Sequence, residues 1–336
     1  MKEKQLNNIP YSVLDLATVI QGKTPADTFK NSLALAQHVE KLGYTRYWLA
    51  EHHNMISVAS SATSVVIGHI AGGTKHIRVG SGGIMLPNHS PLIIAEQFGT
   101  LASLYPDRID LGLGRAPGTD QQTAMAIRGD RFAAVNNFPQ DVKKLQTYFS
   151  ADNSNAKVRA IPGEGLDIPI WILGSSTDSA FLAADMGLPY AFASHFAPAQ
   201  FLAAINIYRS NFKPSSYLQE PYVLSCINVV AADTDAEANR LASSLYQMFK
   251  GIITGKRTLL PPPVDNIEEL LNAYEAEQIN QMLACTFVGS KQTLRDDMDS
   301  FLEQTQVDEI MVSAHIFDQE AKRYSYKLFS EVMRGQ

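Results

Sequence analysis

Two rhythms alternate along this 336-residue chain. Short runs rich in branched and aromatic residues, bounded by Gly, Pro, Asn or Ser, read as strands; between them apolar residues return every three to four positions, the spacing of a helix with one buried face. The short runs predict strands over 11–16, 46–50, 77–82, 109–114, 170–174, 190–194, 223–231 and 309–313. Helices are predicted over 25–42, 62–72, from Ser90 to before Pro106, and over 138–149, 176–186, 198–211, 233–253, 291–304 and 319–333. The first helix carries the fullest set of boundary signals. Thr24 can cap it, Pro25 suits its first turn, Asp27 favours the N-terminal dipole, Phe29, Leu33, Ala36 and Val39 share a face, and Gly43 ends it.

Eight strands separated by helices imply parallel pairing with right-handed crossovers. Eight such units close into a (β/α)8 barrel, with an open doubly wound sheet as the alternative. The polar stretch 151–169 reads as an inserted loop or hairpin after strand four, and 251–263, with Lys256, Arg257 and three consecutive prolines, as a lid-like loop after strand seven. The whole chain, 1–336, reads as one domain, since α/β barrels of this length form a single core.

Composition narrows the function. Hydrophobic residues at 45%, charged residues at 18% and a net charge of −6 without a Lys/Arg run describe a globular protein whose partners are small molecules rather than nucleic acid or an anionic membrane. The N-terminal residues lack an apolar core and no run reaches membrane-spanning length, so a cytoplasmic location is expected. Cys226 and Cys285 lack C-x-x-C spacing, which points away from a disulfide framework and from zinc.

In a parallel barrel, binding and catalytic groups lie at the C-terminal strand ends. Five of the predicted ends are polar: Glu51-His52-His53-Asn54, 80–89 ending at His89, Gly114-Arg115, Gly174-Ser175-Ser176-Thr177, and Ser194-His195. The stretch Arg108–Gly118 runs from an apolar strand into a glycine-rich turn carrying Arg115; its G-x-G-x-x-x-G spacing, with Pro117 inside, misses the dinucleotide fingerprint by one residue but suits an anion site. A strand feeding a helix at Ser175, Ser176 and Ser179 offers hydroxyls and free N–H groups to the same anion; ordinary capping is the plainer reading of those serines. In extended chain Glu51 and His53 share one face and His52 takes the other. The histidines lack H-E-x-x-H spacing, which disfavours metal, and Glu51 with Asp15 or Asp110 is a weak alternative as a glycosidase pair.

In order and spacing, Ala50-Glu-His-His-Asn54, 79–87, Ala95-Glu-Gln97, 105–115, Leu173-Gly-Ser-Ser176 and Gly187-Leu-Pro189 make the chain resemble the bacterial luciferase-like flavin monooxygenases, in particular the single-component bacterial branch. The resemblance spans nearly the whole chain. It implies a TIM barrel, usually a homodimer, that takes reduced FMN from a separate flavin reductase, reacts it with O2 through a C4a-peroxyflavin, and oxygenates a small organic substrate. It assigns His52 an acid/base role at the flavin edge, and Glu51, Gly82, Gly83, Gly114, Arg115, Gly174, Ser175, Ser176 and Ser179 to the cofactor, with Arg115 on the phosphate and a Gly82–Gly83 cis peptide under the ring. Gly114 stands where light-emitting α subunits carry a reactive cysteine, so light emission is not expected. Asn88, His89, His195 and Phe196 are the expected substrate-side residues. Hydride transfer with the deazaflavin F420 and non-enzymatic flavin binding are the competing readings.

Overall fold

A computed structural model of the chain describes residues 4–116, 118–129 and 135–336; Pro117 therefore lies outside the described residues. Nine parallel strands form one sheet: β1 Tyr11–Asp15, β2 Arg46–Leu49, β3 Arg78–Met85, β4 Ile109–Gly114, β5 Ile170–Gly174, β6 Tyr190–Phe192, β7 Val223–Ala231, β8 Thr286–Gly289 and β9 Glu309–Ser313. Neighbouring strands pair in the order β6-β5-β4-β3-β2-β1-β9-β7, and β6 pairs again with β7, so eight strands close a (β/α)8 barrel. These are the eight strands predicted from the sequence. The ninth, β8, and the helix Ala273–Met282 before it are additions that the hydrophobic rhythm did not foretell.

The extra strand is possible because β7 is nine residues long and buried throughout. Its first part pairs with β6 and β9 inside the barrel, and its last residues, from Asn228 to Ala231, pair with β8 outside it. Asn228 sits at the fork, in register with both Ser313 and Thr286.

Local signals place the helices. Thr24 caps Pro25–Lys41, as the sequence predicts, and Asp27 returns the bond to the Thr24 N–H to make a reciprocal capping box. The segment 151–169 contains a short 3-10 helix, Ala151–Asn155, followed by turns, so it is an inserted loop and not a hairpin. It packs by backbone contact: a Cβ built on Gly99, in the helix Pro91–Leu104, would stand 2.3 Å from the Cα of Gly163.

The barrel interior is filled by Leu14, Trp48, Ala50, Trp171, Ala191, Leu224, Cys226 and Met311, while a larger apolar shell joins the outer strand faces to the helices. At the N-terminal strand ends an ion network links the staves. Arg46 on β2 bonds Glu309 on β9 at 3.0 Å and Asp110 on β4 at 2.8 Å; Arg78 on β3 also pairs with Asp110, and Ser12, Tyr222 and Trp48 complete the acceptors' shells. Both carboxylates are fully buried. Asp110 is thus at the opposite end of the barrel from Glu51, and Asp15 is taken by Ser32, Tyr47 and the Ala17 N–H, so neither forms a carboxylate pair with Glu51. Among the described residues no helix is long and apolar enough to cross a membrane, and no group of three His, Cys, Asp or Glu side chains is arranged to hold a metal ion.

Candidate active site at the barrel mouth

The loops after β1, β2, β3 and β4 interlock above the C-terminal strand ends. Glu51 is the hub. Its carboxylate, 1% exposed, accepts hydrogen bonds from the Met85 N–H at 3.0 Å, from His53 Nε2 at 2.8 Å, from His89 Nε2 at 2.9 Å and from Asn88 Nδ2 at 3.4 Å. Burial alone would push the carboxyl up, but the donors from His53, His89 and Met85 outweigh it and hold Glu51 at about 2. Glu51 and His53 do share a side, as the alternation predicts, and Asn88 and His89, expected on the substrate side, are turned onto Glu51 instead.

His52 points the other way. Its Nδ1 lies 3.2 Å from the carbonyl oxygen of Gly118 in the loop after β4. A carbonyl only accepts, so this bond places the imidazole proton on Nδ1 and leaves Nε2 as a bare acceptor. Burial lowers the imidazole below the ordinary histidine value, and the positive charge of Arg257 adds to that, against the bond to Gly118 and the charge of Glu51. His52 is accordingly neutral at neutral pH. Gly118 has φ +63, and a Cβ there would stand 2.8 Å from the Glu51 carbonyl oxygen, so glycine allows the two loops to meet. Thr119 Oγ1 donates to the His53 carbonyl at 2.9 Å and adds a second tie.

β3 does not stop at Gly82, as its composition suggests, but continues to Met85 through a register shift between Ser81 and Ile84. The Gly82–Gly83 peptide at that shift is cis. Side chains are excluded there by the protein itself: a Cβ on Gly82 would meet Leu14 at 2.6 Å, and one on Gly83 the Gly112 carbonyl oxygen at 2.7 Å.

Arg115, after β4, and the helix Thr177–Met186, after β5, stand together. The Arg115 guanidinium contacts Asp178 Oδ2, in the first helical turn, at 3.1 Å, and both side chains are solvent-exposed. The N-cap residue Ser176 makes no side-chain capping bond, and Ser175 is exposed. Gln200 Oε1, from the loop after β6, accepts the Thr177 N–H at 3.0 Å. Ser179 is turned inward, its hydroxyl on the Ser176 carbonyl at 2.8 Å and on Tyr190 at 3.0 Å. An exposed guanidinium beside a helix N-terminus whose N-cap side chain makes no bond, with the Ser175 and Ser176 hydroxyls unengaged among the described residues, is a donor set suited to a phosphate group. Asp178 and Gln200, unforeseen in the sequence, supply the oxygens that meet those donors; the position of Asp178 one residue into the helix was the available signal.

On the other side of the mouth lies a cleft of about 530 Å³, lined by His52, Asn54, Met55, Ile56, Val58, Ser61, Gly255 and Arg257. Its far wall belongs to the predicted lid, whose first three residues are the last turn of the helix Asp235–Ile253, the open loop beginning at Thr254. His195, expected to line the substrate pocket, is 8% exposed with its Nδ1 unpartnered among the described residues; burial, with His315 and His52 nearby, lowers it to about 3. Phe196 beside it is 43% exposed. Both cysteines are free; burial raises Cys226 well above its usual value and Cys285 to about 11, so neither is a ready thiolate.

Residues 10–309 match the family model described as luciferase-like monooxygenase. A luciferase-like monooxygenase of Escherichia coli strain K12 is 51% identical, the match covering 96% of this chain and 97% of that protein. The crystal structure of apo-MsnO8 superposes with a TM-score of 0.87 at 34% identity over 96% of this chain and 98% of that one. The oxygenating constituent of 3,6-diketocamphane monooxygenase from Pseudomonas putida, solved in complex with FMN, shares the fold at a TM-score of 0.72 and 16% identity, covering 98% of this chain and 99% of that one. With the family model matched over most of its length and close relatives matched end to end, the chain belongs to the luciferase-like monooxygenase family and is a flavin-dependent monooxygenase.

Proposed function

We propose that this protein is a cytoplasmic homodimer that uses reduced FMN, delivered by a separate flavin reductase, and O2 to oxygenate a small organic substrate. Arg115, Ser175, Ser176 and the first-turn N–H groups of the helix Thr177–Met186 would hold the phosphate, and Gly82–Gly83 would back the ring. Bound reduced FMN supplies the electrons that activate dioxygen. The remaining work falls to the chain. His52, neutral and anchored through Nδ1 to Gly118, presents Nε2 as a proton acceptor at the edge of the cleft. Glu51 is a positioning residue: by gathering His53, His89 and Met85 it fixes the loops on either side of His52. Exposed Val65, Ile93 and Leu104 on the helices Thr63–Gly73 and Pro91–Leu104 support a subunit interface on that side of the barrel.

The observation that carries this reading is the anchored, neutral His52 facing a cleft at the strand ends. The test combines anaerobic titration with photoreduced FMN and rapid mixing with oxygen, in the wild type and in His52→Ala. Saturable FMN binding in both, with flavin oxidation altered by the substitution, is the expected result. Unaltered oxidation in His52→Ala would favour a flavin-binding role, and hydride transfer to F420 without oxygen consumption would favour the deazaflavin reading.

A further inference from the structure

Arg257 is a cation without a counter-charge among the described residues. Among the described residues no hydrogen bond, ion pair or ring contact engages its side chain. Among the described residues it is the one lining residue of formal positive charge in the cleft, which it shares with His52, Met55, Ile56 and Val58. Its charge is felt at the His52 imidazole.

The distance between the two walls is set by backbone. The segment 17–21 after β1 pairs on one side with the loop after β2, through Val19 N–H to the Ser57 carbonyl at 2.8 Å and Ala59 N–H to the Ala17 carbonyl at 3.0 Å. On the other side it pairs with the loop carrying Arg257, through Gln21 N–H to the Leu260 carbonyl at 2.9 Å and Leu260 N–H to the Val19 carbonyl at 3.0 Å. Both walls thus hang from one extended segment, and Arg257 is three residues from the tie. The backbone tie fixes where the Arg257 main chain stands in the cleft wall, while its exposed side chain is left to be ordered by a ligand.

The phosphate of the cofactor has its own donors at Arg115 and the helix Thr177–Met186, none of which lines this cleft. A guanidinium fork matches a carboxylate in two parallel hydrogen bonds, and Met55, Ile56 and Val58 in the same cleft offer apolar contacts to a short hydrocarbon chain. We propose that the cleft binds the organic substrate as a small carboxylate, its anionic end on Arg257 and its apolar body along Met55, Ile56 and Val58 toward His52. This rests on reading the cleft as the substrate side of the monooxygenase.

The test measures binding rather than turnover. Hexanoate and its neutral counterpart hexanamide are titrated by ligand-observed NMR into the wild type, Arg257→Gln and Lys256→Gln, and photoreduced FMN is titrated into the same proteins. Hexanoate is expected to bind the wild type about fivefold more tightly than hexanamide, the gain of one exposed ion pair. In Arg257→Gln the two should fall within about twofold of each other, while Lys256→Gln keeps the preference. No saturable hexanoate binding, equal affinities in the wild type, or a preference that survives in Arg257→Gln overturns the proposal. So does a loss of FMN binding in Arg257→Gln, which would give this cation to the cofactor. A failure of the monooxygenase reading would show separately, as hexanoate preference in a protein whose mixing with reduced FMN and oxygen leaves flavin oxidation as it is in free solution.

Discussion

Replacing Glu51 by Gln tests whether the hub of the mouth contributes to stability through its charge. A carboxylate offers acceptor oxygens only, and four donors converge on this one. The isosteric amide keeps one oxygen and turns an NH2 group toward the rest, so at least one buried donor loses its acceptor, at a cost of about 1–3 kcal/mol. Linkage gives a second route to the magnitude. Glu51 is held at about 2 against an ordinary 4.5, and at about 1.4 kcal/mol for each pH unit the ionised form contributes about 3 kcal/mol to folding. Because the folded-state value is depressed, this contribution is complete above about pH 4.5 and is lost as pH falls toward 2. Urea unfolding followed by tryptophan fluorescence should therefore find Glu51→Gln less stable by about 2–3 kcal/mol at pH 7, with the gap to wild type closing as the pH is lowered through 4.5 to 3. A gap below about 0.5 kcal/mol at pH 7, or one that stays constant down to pH 3, would refute the reasoning.

Three further outcomes are expected. Arg115→Gln should weaken reduced-FMN binding about tenfold or more, the loss of a charge-assisted pair to phosphate, read by anaerobic titration. Asp178→Asn should do the opposite and tighten it by up to about fivefold, because the exposed carboxylate now on Arg115 no longer competes for the cation; unchanged affinity would mean the pair is inert. Gly99→Ala should destabilise the fold by about 3 kcal/mol, since its Cβ would meet the backbone of Gly163 and not a side chain able to swing away; thermal unfolding close to wild type would show that the inserted loop is free to shift.

All eight barrel strands were legible because each is a short apolar run between glycines and helical patterns, and burial on both faces demands that composition. Thr286–Gly289 escaped notice for the converse reason: four residues long, with three of them only half-buried, it carries no alternation strong enough to stand out. The helix before it has Ile279 as its one buried residue, so its face is nearly blank; the usable signal was Asn272 with Glu275 three positions on, which form a capping box. At the site, the opposed directions of Glu51 and His52 followed from backbone alternation. The partners did not. That His89 would turn onto Glu51, that Asp178 would meet Arg115, and that Arg257 would line a cleft with His52 all depend on loops far apart in sequence being brought to one rim, which periodicity does not encode.

The ion network at the N-terminal strand ends has a consequence for how this protein can change. Arg46, Arg78, Asp110 and Glu309 tie β2, β3, β4 and β9 together at the rim opposite the mouth, drawing on none of the side chains that surround His52, Arg115 or Arg257. Closure of the barrel and recognition at its mouth are therefore separable. Away from the Glu51 hub, loops at the mouth can be lengthened, shortened or exchanged to suit a different substrate while the opposite rim keeps the staves in register, so specificity can be rewritten there without rebuilding the frame.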